Sequence, residues 1–324
     1  MKKIRLGAFF ILILLLGCSE NNLSAKVVTD TVPTERNKEI EVYFCPLDDC
    51  EGVLINAINS STESLHCAFF DIDLNGLINT IGKKSHSVDV RLVVDDENYG
   101  EIIGGGVRKD DSSQYTHNKF CVIDGKIITT GSFNPTDNEA HKNNNNLLVI
   151  HSKYLASNYE DEFKELWKGE FGKGENVKYP VLNFNGHEIE NYFCPEDKCA
   201  DRIVEELNNA EKSIYFMAFS FTNEEIADAI LFNDKADIKG LFEKRGSGSK
   251  YSQYGRLKDF GLDVRVDNNS YTMHHKVFII DNETVITGSM NPTGAGDYKN
   301  DENILIIHDK DIAKKYVEEF LRLF

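Results

Sequence analysis

The chain writes one long pattern twice. "EVYFCPLDDCEGVLINAINSSTESLHCAFFDID", from Glu41, is matched by "ENYFCPEDKCADRIVEELNNAEKSIYFMAFSFT", from Glu190, with Cys45 and Cys194 setting an offset of 149 residues. Farther on, "HNKFCVID" from His117 recurs as "HHKVFIID" from His274, an offset of 157. The second copy therefore gains eight residues between these blocks, in or near "EKRGSGSKYSQYGRLKDFG". Units of this length are duplicated domains, since solenoid units recur every few tens of residues.

Each copy predicts the same order of elements. A strand ending at Phe44 or Phe193 leads into an amphipathic helix, with Leu54 and Ile58 in one copy and Ile203, Val204 and Leu207 in the other at helical spacing. An apolar strand follows ("SLHCAFF", "SIYFMAF"), then a short helix, a strand ("VDVRLVV", "ADIKGLF"), a hairpin, another strand and a closing helix. Thr222-x-x-Glu225 reads as a capping box for the second short helix. The closing helices align Leu155, Tyr159, Phe163 and Leu166, and Ile312, Tyr316 and Phe320, on one stripe each. Strands interleaved with helices predict an α/β class, an α+β mixed sheet covered on both faces. The domains are expected at 39–179 and 180–324, joined through "GKGENVKYPVLNFNGHE".

Residues 1–17 read as a signal peptide: a basic start and an apolar run, Leu6 to Leu16, too short for a spanning helix. Leu15-Leu16-Gly17-Cys18 resembles the lipobox of prokaryotic lipoproteins, which implies that Cys18 becomes a lipid-bearing N-terminus. The alternative is an ordinary secretory signal. Residues 18–38, rich in Ser, Thr, Asn and charge, are expected to be a flexible tether. The expected location is extracytoplasmic and membrane-anchored. The composition, 41% hydrophobic and 27% charged, is that of a globular protein, and the net charge of −17 repels nucleic acid at long range. Any phosphate-binding surface must then be a local exception.

The cysteines repeat as well. Cys45 and Cys50, and Cys194 and Cys199, occupy matching places, and the five-residue spacing outside the cytoplasm suits two local disulfides. A four-cysteine zinc site is the competing reading and requires the two pairs to meet in space. Cys67 and Cys121 lie in apolar strands where the second copy has Phe216 and Phe278. They are expected as buried thiols, with a disulfide between adjacent strands as the alternative.

In "HNKFCVID" and "HHKVFIID" the histidine and lysine fall on one face of an extended strand, because side chains alternate with a period of two. Asp-Gly or Asp-Asn then makes a hairpin turn, and the return strand ends in Gly-Ser-x-Asn beside the His-x-Lys end. A histidine, a lysine, a hydroxyl and an amide converge. This set suits phosphodiester chemistry: lysine brings fixed positive charge to the non-bridging oxygens, Asn and Ser donate hydrogen bonds to them, and a neutral imidazole can attack phosphorus. One set lacks an acid for the leaving alkoxide; two sets facing each other supply both.

His-x-Lys-x4-Asp followed by Gly-Ser-x-Asn resembles the signature of the phospholipase D superfamily. It is complete at His117, Lys119, Asp124, Gly131, Ser132 and Asn134, and again at His274, Lys276, Asp281, Gly288, Ser289 and Asn291. The resemblance implies two α-β-α sandwich domains related by pseudo-two-fold symmetry. It also implies a metal-independent, two-step reaction through a phosphohistidine, with no cofactor. His117 would be the nucleophile and His274 the acid. Asp124 and Asp281 are expected to hold the hairpins rather than touch substrate. The family often carries a Glu before the next strand that orients the catalytic imidazole; Glu302 fits that place, and the first copy has Asn145 there. On this reading a carboxylate sits beside His274 and an amide beside His117, which favours the same roles. The alternative is that loss of the Glu weakens activity.

The superfamily includes phospholipases, cardiolipin and phosphatidylserine synthases and small nucleases. The short stretches between motifs leave little material for a lipid tunnel, so a nucleic-acid phosphodiester is the first expected partner and a membrane phospholipid the second. "EIIGGGVRKDDSSQYT" and "EKRGSGSKYSQYGRLK" bring Gly, Arg, Lys and Tyr towards the motif strands. A phosphate-binding module without turnover is a third reading. The remaining histidines, among them His66, His86, His141, His151, His187 and His308, show no paired metal spacing.

Overall fold

The computed structural model describes residues 32–98 and 106–324. The expected signal peptide, Cys18 and most of the tether lie outside the described residues, as do residues 101–105 of the first Gly-rich loop. The first half contains β1 (Thr34–Glu35), β2 (Ile40–Cys45), α1 (Cys50–Asn59), β3 (Ser64–Phe69), α2 (Asn75–Lys84), β4 (Asp89–Val94) and β5 (Val107–Lys109). It continues with β6 (Lys119–Ile123), β7 (Ile127–Gly131), α3 (Asp137–His141), β8 (Asn145–His151) and α4 (Lys153–Lys168). The second half contains β9 (Val181–Phe184), β10 (His187–Cys194), α5 (Cys199–Asn209), β11 (Ser213–Ala218), α6 (Glu224–Leu231) and β12 (Asp237–Phe242). After α7 (Lys244–Ser247) and α8 (Gln253–Asp259) come β13 (Asp263–Val266), β14 (Lys276–Ile280), β15 (Thr284–Gly288), α9 (Gly294–Tyr298), β16 (Glu302–Ile307) and α10 (Lys310–Leu323).

The duplication is visible in the topology. One sheet runs β2-β8-β7-β6-β3-β4-β5 and the other carries the matching series β10-β16-β15-β14-β11-β12-β13, extended at one edge by β9 and β1. In each matching series of seven strands, the last three are parallel and the other neighbours antiparallel. The result is two mixed sheets, one in each half. The eight extra residues of the second copy fall in the stretch that forms α7 and α8. Thr34–Glu35, inside the span expected to be a flexible tether, pairs as a parallel strand with Asn183 and Phe184 of the second half. The Glu35 carboxylate also accepts from Lys153 N at 3.0 Å, at the start of α4.

Three apolar clusters follow from this layering. Leu54, Ile58, Leu77 and Ile81 of α1 and α2 pack on one face of the first sheet, and Ile203, Leu207, Ile226 and Ile230 of α5 and α6 on the matching face of the second. The third cluster is shared: the stripes of α4 (Leu155, Tyr159, Phe163, Leu166) and α10 (Ile312, Tyr316, Phe320) meet Phe120 and Val122 of one half and Val277 and Ile279 of the other. Burial of each such side chain contributes about 1.5–3 kcal/mol, so much of the stability is common to both halves.

Two local expectations change. The N-cap of α6 is Asn223, whose side chain accepts from Ile226 N at 3.0 Å, and Thr222 lies one residue outside it. Cys67 and Cys121 are not buried thiols: they face each other in register on β3 and β6 and are disulfide-bonded, where β11 and β14 place Phe216 opposite Phe278. Cys45–Cys50 and Cys194–Cys199 form the two local bridges, each tying a strand end to the next helix, and this removes the four-cysteine zinc reading.

Candidate active site

Two hairpins build the site. At their far turns Asp124 and Gly125, and Asp281 and Asn282, all have positive φ, the geometry of a turn that Asp, Asn and Gly tolerate. The Asp124 carboxylate accepts from Thr62, Glu63 and Ser64 N–H groups at 2.8–3.1 Å, and Asp281 from Glu211, Lys212 and Ser213 at 2.6–3.2 Å. These aspartates fasten each hairpin to the start of the neighbouring strand. At the near ends, Gly131 (φ 133°) and Gly288 (φ 155°) let the chain pass against the carbonyl oxygens of Asn146 and Asn303, where any Cβ would collide.

The histidines are set by the opposite half. His117 N donates to Asp301 O at 3.0 Å, and in the mirrored contact His274 N donates to Asn144 O at 2.7 Å. Each ring then meets a carboxylate from across the pseudo-two-fold: His117 Nδ1 lies 2.8 Å from Glu302 Oε2, and His274 Nδ1 lies 3.2 Å from Glu139 Oε2. His117 Nδ1 is hydrogen-bonded to its carboxylate, while His274 Nδ1 and Glu139 Oε2 stand at ion-pair distance only; with each Nδ1 turned to an acid, Nε2 is the nitrogen left for chemistry. Both imidazoles are nearly buried, at 7% and 6% exposure. An edge-on phenylalanine flanks each, Phe70 at 4.9 Å from the His117 ring and Phe219 at 4.7 Å from His274.

This geometry overturns the expected pairing. Glu302 does not orient His274 but His117, and the first half has not lost its carboxylate. Glu139, on α3, supplies it six residues before the expected position. Asn145 does not touch His117: its amide nitrogen donates to the carbonyls of Glu139 at 2.9 Å and Asn143 at 3.0 Å, holding the turn that carries Glu139. In the second half the position matching Glu139 is Gly296, where a side chain would strike Asn291 O. Nothing in the spacing of Glu139 marks it; the signal in the sequence was the vacancy at Asn145, which calls for another acid within a turn or two.

The lysines and amides line the same space. Lys276 Nζ donates to His274 O at 2.7 Å, and Lys119 makes the matching contact with His117 O. Burial pushes Lys119 down to about 8, and burial together with the charge of Lys119 pushes Lys276 well below the usual lysine range. Asn134 and Asn291 each keep a buried Oδ1 with no hydrogen-bond partner among the described residues. Ser132 Oγ donates to Asn146 Oδ1 at 2.8 Å, so its hydrogen is engaged within the protein, whereas Ser289 Oγ only accepts, from Asn303 N at 2.9 Å, and keeps its hydrogen.

Behind the pocket an unforeseen lattice crosses between halves. Asn146 Nδ2 donates to Thr287 Oγ1 and Tyr316 OH, both at 2.8 Å, while Asn303 Oδ1 accepts from Thr130 Oγ1 at 2.9 Å and Tyr159 OH at 3.1 Å. Helical spacing had shown the two tyrosines only as core; their hydroxyls tie the hairpin returns together.

Burial dominates the charge states. It lowers His117 well below the usual imidazole range, aided by Lys119 and Lys276, and lowers His274 to about 4 against the opposing pull of Glu139. Burial pushes Glu302 up to about 8. It works in the same direction on Glu139, where His274, Asn143 and Lys276 more than offset it and hold the carboxyl below its ordinary value. An ionised carboxylate therefore faces His274, and one that binds its proton tightly faces His117.

Comparison with known proteins agrees with this construction. The family model described as cardiolipin synthase, PLD-like domain matches residues 54–167 and 203–324, one match in each half. A phospholipase D of Rickettsia conorii is 31% identical over 145 residues, 44% of this chain and 72% of its own. A mitochondrial cardiolipin hydrolase of Xenopus laevis is 35% identical over 136 residues, 40% of this chain and 65% of its own. Among solved structures, a phosphatidylserine synthase of Haemophilus influenzae shares the fold at 12% identity, with a TM-score of 0.67 over 87% of this chain and 85% of its own. With the signature complete in each repeat and the family match covering both, this chain belongs to the phospholipase D superfamily of phosphodiesterases.

Proposed function

We propose that the protein hydrolyses a phosphodiester in two steps on one phosphorus atom held between the halves. His117 Nε2 attacks phosphorus, the bond to the leaving ester oxygen breaks, and His274 Nε2–H protonates that oxygen as the alcohol departs. Water then attacks the phosphohistidine, gives its proton to His274, and the P–N bond breaks to release a phosphomonoester. Lys119 and Lys276 neutralise the non-bridging oxygens, and Asn134 and Asn291 donate to them. The arrangement that carries this reading is the crossed pair of dyads, His117 with Glu302 and His274 with Glu139. Burial holds the His274 imidazole low, and the ionised Glu139 together with a bound phosphodiester anion opposes that burial and favours the imidazolium, while His117 beside the proton-retaining Glu302 stays neutral and nucleophilic. The roles expected from sequence return, through the opposite pairing.

For substrate, a membrane phospholipid is the favoured reading. The net charge of −17 disfavours a polynucleotide, and relatives named phospholipase D and cardiolipin hydrolase are at least 30% identical. A nucleic acid is the second reading, favoured by half-exposed Tyr115, which stacks edge-on against Phe70 at 5.4 Å and offers a base a platform beside His117. The test compares phosphatidylcholine, cardiolipin, single-stranded DNA, duplex DNA and RNA in excess EDTA, with bis(p-nitrophenyl) phosphate as the generic diester. Turnover of the generic diester in chelator is expected, with phospholipid preferred over polynucleotide. Activity that disappears in EDTA and returns only with added metal would refute the reaction as written.

A further inference from the structure

The two sides of the site differ in charge. After β3 the first half runs Phe69-Phe70-Asp71, and after β11 the second runs Ala218-Phe219-Ser220. Phe70 and Phe219 are the rings that flank His117 and His274, so Asp71 and Ser220 each follow a ring set against a catalytic imidazole. The next parallel strands end beside them in the same way: Asp95 N donates to Phe69 O at 3.2 Å, and Glu243 N to Ala218 O at 3.1 Å. These matching bonds align Asp95 with Glu243. The residues that follow are Asp96 and Glu97 in the first half but Lys244 and Arg245 in the second, and all four are exposed. Three acids on the His117 side thus correspond to a hydroxyl and two cations on the His274 side.

Arg245 is fastened to the segment that leads into His274. Its Nη1 donates to Thr272 Oγ1 at 3.3 Å, two residues before that histidine. Thr272 N donates in turn to Asn143 Oδ1 at 3.1 Å, and the Asn143 amide donates to Glu139 at 2.9 Å, so the guanidinium is tied to the His274 dyad. Among the described residues, no carboxylate oxygen lies within 4.0 Å of the Lys244 ammonium or the Arg245 guanidinium. Farther along the same stretch Arg256 is paired with Asp228, and Lys258 donates to Val264 O. In a chain of net charge −17, a guanidinium with no acid beside it and a hydroxyl to hold it is suited to an incoming phosphate. The other side behaves differently: burial lowers both catalytic lysines, but Asp95 and Asp71 are among the acids that raise Lys119, whereas those raising Lys276 are Glu139 and Glu302.

We propose that Arg245, with Lys244, selects a phospholipid whose leaving alcohol carries a second phosphate. This rests on the roles given above: His274 protonates the departing oxygen, so the leaving alcohol lies on the His274 side, beside these cations. As the bond from phosphorus to that oxygen breaks and the oxygen takes the His274 proton, the second phosphate stays on the alcohol, paired with Arg245. A choline or ethanolamine alcohol instead brings its ammonium against Lys244 and Arg245 and is disfavoured. A polynucleotide also offers a second phosphate, but its chain of charge continues in both directions and meets Asp71, Asp96 and Glu97 on the other side. A lipid with two phosphates ends its charge at the cations. Arg245 is a specificity-determining residue here and does not act on the reacting phosphorus.

The test uses the full-length chain in detergent micelles of matched surface charge, with EDTA present. The probes are cardiolipin, whose leaving alcohol bears a phosphate, phosphatidylglycerol, whose leaving alcohol is neutral, and phosphatidylcholine, whose leaving alcohol is cationic. The expected kcat/KM falls in that order, with cardiolipin above phosphatidylcholine by about tenfold or more. Lys244→Asp with Arg245→Glu, which copies the first half, should lower the cardiolipin-to-phosphatidylglycerol ratio by about tenfold or more. Arg245→Gln alone should lower it by about threefold, and Arg245→Lys should restore part of it, so the test does not depend on the double variant folding. The ratio compares two substrates in one variant, and a general loss of fold or turnover does not move it. A ratio unchanged in these variants would overturn the proposal. Wild-type preference for phosphatidylcholine would overturn it too, by putting the leaving alcohol on the acidic side, and so would faster cleavage of single-stranded DNA than of cardiolipin. Turnover of bis(p-nitrophenyl) phosphate by the wild type reports separately on the reaction: if that diester is cleaved and the three lipids are cleaved equally or not at all, the selectivity falls and the phosphodiesterase reading stands.

Discussion

The two halves share a topology and a signature yet reach the same active-site geometry by different residues. The second half places its orienting acid, Glu302, at the first residue of β16; the first half places Glu139 on the short helix before β8 and uses Asn145 to brace it. Inside the sheets the first half joins β3 to β6 with the Cys67–Cys121 disulfide, and the second fills the same register with two phenylalanine rings 6.0 Å apart. What the two halves hold in common is a carboxyl group placed beside the imidazole of the opposite half. Which element delivers a carboxylate, or what cross-links a strand pair, has been free to change.

Several measurements would break or sharpen this comparison. The largest effect is expected at the histidines: His117→Ala and His274→Ala should each lower turnover by about 10³-fold or more, and near-wild-type rates in either would end the shared-site account. Glu139→Gln and Glu302→Gln should each lower kcat by about 100-fold or more, by releasing the tautomer of the histidine across the axis. They should differ in pH behaviour. Glu139 raises the pKa of His274, so Glu139→Gln should move the basic limb of the kcat/KM profile to lower pH.

Glu302 affects stability with the opposite sign to function. Its folded value near 8 stands above the ordinary carboxyl value of about 4.3, so the folded state holds the proton more tightly and stability falls as pH rises between the two. Glu302→Gln removes that slope, and should raise the melting temperature at pH 8 relative to wild type while the difference shrinks towards pH 4. Unchanged relative stability across that range would contradict the burial argument.

Removing the buried bridge as Cys67→Ala with Cys121→Ala should cost about 2–5 kcal/mol in denaturant unfolding. The smallest effect is expected for Asp124→Asn. Burial opposes ionisation of Asp124, but N–H groups of residues 62–64 win and bring the carboxyl to about 2. Its contribution is therefore complete above about pH 4 and lost as pH falls towards 2, so the variant's deficit should fade over that interval.

Much of this architecture was legible in the sequence because the repeat constrains it. A period-two strand with His-x-Lys at its start and a turn of Asp with Gly or Asn fixes a hairpin, and finding it twice fixes the pairing of domains. The partners of the imidazoles were not legible. Spacing within one copy cannot show that Glu302 crosses to His117, since the crossing depends on the Thr116–Asp301 and Asn144–Met273 bridges between halves. Ser132 was illegible for a related reason: it stands in the motif, but Asn146 on the next strand takes its hydrogen. Cys67 and Cys121 looked like thiols because only the register of β3 on β6 makes them neighbours.

The central claim is that two imidazoles from separate halves act on one phosphorus with unequal roles. It is tested most directly by trapping the intermediate: His274→Ala mixed with bis(p-nitrophenyl) phosphate, whose leaving group needs little acid help, quenched in alkali and mapped by peptide mass spectrometry. The account predicts a phosphoryl adduct on the peptide carrying His117, accumulating because the second step has lost its base. An adduct elsewhere, or undiminished turnover with no adduct on His117, would contradict it.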